Sequence, residues 1–215
     1  MTLPSGGMPP DLHADWSSLE FVFRAFPSSR AQRQVWREMS QSIHQRLLQR
    51  GHMGLPALLP GLVHARLATA LLAAGYRRRA QLANQSILCL GCHAGLEIRI
   101  LKDFNAGDVR GVEIRSEVIT EAVACGLIAQ DDVWIGDFWD FLKSGYCGVW
   151  DEIVVLAPEQ LSLAQLWPLA QESLLPGGHL VVVAQPSDVM DIPVGAAHGS
   201  AMEGTMMWLS LTREE

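Results

Sequence analysis

From residue 86 onward the chain alternates short, continuously apolar runs with segments of helical periodicity, and this alternation constrains the fold more than any other feature. The runs are Ser86–Leu90, Val109–Ile114, Asp132–Ile135, Glu152–Leu156 and His179–Ala184. Between them lie Leu96–Phe104, Glu117–Ala124, Phe138–Leu142 and Leu161–Leu174. A strand that is apolar at nearly every position has to be covered on both faces, as in a parallel sheet flanked by right-handed crossover helices. The expected fold is therefore α/β with a mostly parallel sheet. Gly204–Leu211 adds one clear strand. Ser187–Met190 reads as at most a vestigial helix and Pro193–His198 as a weak strand, so the C-terminal part of the sheet reads as shortened.

Residues 1–80 read differently. Residues 1–14 form a leader without the basic and apolar regions of a secretory signal, and 15–80 form a helical lid or cap over a core at 81–215. Ser17 or Ser18 opens a short helix stopped by Pro27. Ser29 opens a longer one in which Trp36, Met39, Ile43 and Leu47 recur at spacings of three and four, closed by Gly51. A third starts near Pro60 and passes Leu67 and Leu71 to Arg77-Arg78-Arg79. The apolar stretch 55–76 contains Pro56, Pro60, His64 and Arg66, which suits a buried helix better than a membrane span.

Charge is divided in the same way. Ten arginines against four acids give residues 1–80 about +6, whereas six bases against nineteen acids give 81–215 about −13. A protein so acidic over its larger part is a poor general binder of nucleic acid, and the basic third is expected to dock on the acidic remainder. Four cysteines in 215 residues suit reduced thiols, and the expectation is a soluble, cytoplasmic protein that binds no membrane. Oligomeric state is left open, with a homodimer as one option.

In a parallel sheet of this kind the ligand lies beyond the C-terminal ends of the strands, so the loops beginning at Gly91, Glu113, Asp137 and Ala157 share one rim. Leu90-Gly91-Cys92-His93-Ala94-Gly95 follows a strand and opens a helix, where glycine lets the backbone approach a ligand. Glu113, about twenty residues further on at the end of the second run, is positioned to accept from ribose hydroxyls. Asp137, after the third run, offers a carboxylate to an adenine amino group.

With these residues the segment 86–184 resembles the class I S-adenosylmethionine-dependent methyltransferases, whose fold is Rossmann-like with a seven-stranded-type sheet. ILCLGCHAG resembles the family's glycine-rich motif, GVEIRSEVI its second-strand motif, VWIGDFWDF its adenine clasp and LLPGGHLVVV its fifth strand. The resemblance implies S-adenosylmethionine as co-substrate, without a metal. Gly91, Cys92, His93, Gly95 and Ala157 would border it, and Gly91 and Gly95 would face the methionine portion. Glu113 would hold the ribose, Ile114 would pack on the adenine, and Asp137 with Phe138 would clasp that ring.

Two positions depart from the pattern. Cys89 stands where the family usually has an acid, and His93 where it usually has a glycine. His93 is a candidate base, weighed against an ordinary loop histidine. Glu159 is the second catalytic candidate, weighed against a carboxylate that complements a helix dipole, and Trp139 is pocket wall or core. Cys89-Leu90-Gly91-Cys92-His93 also matches a haem-attachment pattern, but without an export route that match carries little, and no second Cys/His pair completes a zinc site.

The fourth run exits through Ala157-Pro158-Glu159-Gln160, without the Asn/Asp-Pro-Pro-aromatic motif of methyltransferases acting on base nitrogens. The leading expectation is a methyltransferase acting on a small metabolite or natural-product intermediate. One alternative is attack at the methionine-side carbon, by aminocarboxypropyl transfer or cyclisation to azetidine-2-carboxylate with release of methylthioadenosine. Another is a non-catalytic scaffold. A dinucleotide-binding dehydrogenase ranks last, because GCHAGLE does not match Gly-x-Gly-x-x-Gly.

Overall fold

The computed structural model describes residues 30–51, 83–103, 106–145, 148–156, 161–184, 189–191, 197–203 and 206–214. The leader, the first and third expected helices, Ala157 and Glu159 lie outside them. The described chain runs α1 (Arg30–Gln49), β1 (Ser86–Leu90), α2 (Leu96–Asp103), β2 (Asp108–Glu113), α3 (Ser116–Ala124), β3 (Val133–Ile135), α4 (Phe138–Lys143) and β4 (Trp150–Leu156). It continues through β5 (Leu161–Ser162), α5 (Leu163–Ser173), β6 (Leu174–Ala184), β7 (Val189–Met190), β8 (Ala197–Glu203) and β9 (Met206–Thr212).

Seven strands form one sheet in the order β3-β2-β1-β4-β6-β9-β8, and β5 pairs with β7 separately. β1 to β4 and β6 run parallel, and β9 is inserted antiparallel between β6 and β8. The apolar runs are continuous because each central strand is buried on both sides. In β1, Ile87 and Cys89 join one core with α1, α2 and α3, whereas Leu88 and Leu90 join a second core with α4 and α5.

The shortened C-terminus is corrected by this sheet, which has its full seven strands. β8 was nearly invisible in the sequence because Ala-His-Gly-Ser-Ala-Met-Glu lacks an apolar run, and an edge strand paired on one side does not need one. Val189–Met190 is a strand pairing with Leu161–Ser162 rather than a helix. β6 begins five residues before the expected start at His179: Leu174 pairs with Trp150, and a register shift between Trp150 and Glu152 absorbs the Pro-Gly-Gly turn.

The described part of the expected lid is integral to the core. Ile43 and Leu47 of α1 are fully buried in the same cluster as Ile119 and Ala122 of α3. Arg46, at 3.9 Å, and Arg50 pair with the buried Glu121 of α3, so two arginines of the basic third do dock on an acid of the remainder. Glu121 is taken out of water beside these two guanidiniums, which remain about half exposed. Among the described residues, no helix is long and apolar enough to cross a membrane.

Ile43→Ala tests whether α1 belongs to the core. The expected loss is about 2–5 kcal/mol in urea unfolding, within a single transition. A separate lid would leave the main transition unmoved.

Candidate functional site

β2 determines how the glycine loop sits. Gly91 N and Cys92 N both donate to Val112 O, at 2.9 and 3.1 Å, and Gly95 N donates to Cys92 O at 2.7 Å. The loop can lie this close because Gly111 has no side chain: a Cβ there would stand 2.5 Å from Cys92 Sγ and 2.6 Å from Ile98 Cδ1. Gly91, with φ +67°, has nothing within 4 Å of where a Cβ would stand, so its outer side is open to a ligand.

Gly95 and Cys92 have packing and hydrogen-bonding parts within the loop. The Cβ that Gly95 lacks would meet Ile128 at 2.9 Å, so this glycine makes room for packing beneath α2. Cys92 is fully buried, and its N–H and carbonyl are both used by the loop. Burial, and after it the charge of Glu97, raises its thiol well above the usual range, as it does that of Cys89. Neither sulfur is a nucleophile in this setting. Cys89, Cys92 and Cys125 are free thiols, and among the described residues no group of three His, Cys, Asp or Glu is placed to hold a metal ion.

Glu113, at the end of β2, is only 4% exposed and holds the rim together. Its Oε2 accepts from His93 N at 2.8 Å, and its Oε1 accepts from Arg115 N at 3.0 Å and Arg115 Nε at 3.2 Å. His93 takes a positive φ of 49°, and its Nδ1 meets Arg115 Nη2. Arginine can only donate, so in this contact His93 Nδ1 is the acceptor. The same ring nitrogen lies 4.0 Å from Glu113 Oε2.

Ile114 follows at 65% exposure, an apolar side chain left open at the strand exit, with Ile135 of β3 also exposed nearby in the topology. Gly136 N donates to Glu113 O at 2.9 Å, which ties the β3 exit to that of β2. Asp137 caps α4: its Oδ1 accepts from Trp139 N at 2.7 Å and Asp140 N at 3.3 Å. Phe138 and Trp139 are half-buried, with ring centroids 4.9 Å apart. Thus Gly91, His93, Glu113, Ile114, Asp137 and Phe138 share the C-terminal rim. A separate hollow of about 490 Å³, lined by Trp134, Phe141 and Trp150, lies toward the opposite ends of these strands, where Asp108, Val133 and Trp150 begin them.

Two residues were missed from sequence. Arg115 was not singled out, although its position two residues after Glu113 was the available signal. Glu97 was not singled out either; it lies in the first turn of α2 and is 2% exposed. Burial pushes its carboxyl from the ordinary 4.5 up to about 8; hydrogen bonding from its own backbone opposes the shift, and the charge of Glu113 adds to it.

No protein-family model and no curated protein sequence matches the chain. Solved structures do match. A methylase candidate from Haemophilus influenzae is 17% identical at TM-score 0.52, covering 64% of this chain and 91% of its own. A methyltransferase candidate from Escherichia coli is 14% identical at 0.51, covering 62% and 77%. An RNA methyltransferase from Salinibacter ruber, solved with S-adenosylhomocysteine, is 18% identical at 0.50, covering 69% and 90%.

The raised Glu97 gives a pH test. The folded state keeps this proton until about pH 8, whereas the unfolded chain releases it near 4.5. Its contribution to stability is complete below the lower value and is lost as pH rises through the upper one. Urea midpoints of the native protein should fall more steeply between pH 5 and 8 than those of Glu97→Gln. Parallel curves would show that Glu97 is not held protonated. Taken together, the strand order, the rim and these structural neighbours give the chain the Rossmann-like fold of the class I S-adenosylmethionine-dependent methyltransferases.

Proposed function

We propose that the protein is an S-adenosylmethionine-dependent methyltransferase acting on a small metabolite or natural-product intermediate. The observation that carries this reading is the convergence on one rim of the open Gly91 backbone, the Glu113 carboxylate, the exposed Ile114 and the Asp137–Phe138 turn. The donor set fits the nucleoside. Ile114 supplies an apolar wall that a ring would cover, and Asp137 uses only Oδ1 for its two capping bonds, leaving Oδ2 to accept from an amino group.

When bound, S-adenosylmethionine supplies a methyl group on a sulfonium, which is electrophilic without help from a metal. The chain's own part is proximity and orientation. Gly91 lets the backbone approach the methionine portion, Glu113 takes the ribose and Ile114 covers one face of the adenine. A methyl acceptor that carries a proton needs somewhere to place it, and His93, on the same loop, is the candidate. Support for a small acceptor comes from the acidic charge of residues 81–215 and the missing base-nitrogen motif after β4.

Ile114→Asp is the discriminating variant. Ile114 is exposed, so its replacement should change stability by no more than about 0.5 kcal/mol. Calorimetric affinity for S-adenosylmethionine should nevertheless fall about tenfold or more, because a carboxylate would be desolvated against the ring. Equal affinities would remove the nucleoside from this rim. Mass spectrometry of the native protein incubated with S-adenosylmethionine and a protein-free metabolite extract should show S-adenosylhomocysteine and one acceptor heavier by a methylene. Methylthioadenosine above background would instead mean attack at the methionine-side carbon.

A further inference from the structure

The carboxylate offered to the ribose is already engaged by the protein. Of the three bonds to Glu113, two come from backbone N–H groups fixed by the glycine loop and by the start of α3. The third comes from the Arg115 side chain, which is about one-third exposed and can leave without disturbing either element. A carboxylate has roughly four lone-pair positions. With three donors on it and almost no exposed surface, Glu113 has little capacity left for two adjacent hydroxyls.

Resting on the nucleoside reading of the rim, we infer that Arg115 is a specificity-determining latch. Its Nε occupies Glu113 Oε1, and a vicinal diol on the ligand takes that place on binding. The exchange keeps the buried carboxylate hydrogen-bonded throughout: the guanidinium, about one-third exposed, regains water when it leaves, and the hydroxyls that replace it also make charge-assisted bonds to Glu113. The same guanidinium spans both partners: Nε is on Glu113 and Nη2 is on His93 Nδ1. Release from the acid therefore also releases the imidazole. A ligand without the diol leaves the latch closed, so the device selects ribonucleosides over deoxyribonucleosides.

The test uses neutral probes, so that removing a positive charge does not by itself alter affinity. Adenosine and 2′,3′-dideoxyadenosine are titrated calorimetrically into the native protein and into Arg115→Met. Because a latched population lowers apparent affinity in proportion to the open fraction, the variant should bind adenosine about three- to tenfold tighter. Dideoxyadenosine should bind both proteins equally. An unchanged or weaker affinity for adenosine, or the same gain for both nucleosides, overturns the latch. A second measurement needs no variant: adenosine bound to the native protein should shift the nitrogen-15 resonance of Arg115 Nε, and dideoxyadenosine should not. Bound adenosine with an unmoved Arg115 resonance overturns the latch while sparing the nucleoside site. Binding of neither nucleoside to either protein overturns both.

Discussion

The site depends on how closely the loop after β1 lies on β2. Two N–H groups of the loop share the carbonyl of Val112, Cys92 fills the space that Gly111 leaves, and Glu113 holds the N–H of His93. These contacts make the end of β2 both a strand and an anchor for the loop. They also account for the departure at position 93: a positive φ ordinarily favours glycine, and here the non-glycine residue is held by a charge-assisted bond on its backbone and an arginine on its ring.

The core beneath the loop has an unusual chemistry. Cys89, in the position where the resembling family carries an acid, is buried, and the buried acids that act on it are Glu97 on the following helix and Glu152 of β4. Burial keeps Cys89 and Glu97 neutral near pH 7. The rim is a paired electrostatic unit, and a polar ligand exchanges with existing bonds when it binds.

Much of this was legible in the sequence, for identifiable reasons. β1, β2, β4 and α2 to α5 were visible because burial on two faces leaves continuous apolar runs, and crossover helices keep a 3.6-residue period. β8 was not, because an edge strand pairs on one side only. The periodicity of α1 revealed an apolar face with Ile43 and Leu47 but not what that face packs against, so a core helix read as a lid. Gly91, Glu113 and Asp137 were singled out from position at strand exits, and Ile114 from the family resemblance; the structure places all four at the exits of β1, β2 and β3. The commitments of Glu113 to Arg115, of Gly95 to Ile128 and of Cys92 to Gly111 are pairwise contacts that spacing does not encode.

The central claim is that the ligand sits at the C-terminal rim and not in the hollow lined by Trp134, Phe141 and Trp150. Nitrogen-15 amide shifts during titration with S-adenosylhomocysteine test it most directly. The account predicts shifts concentrated at Gly91–His93, Glu113–Arg115 and Gly136–Phe138. Shifts confined to Val133, Trp134, Phe141 and Trp150, or none at saturating ligand, would contradict it.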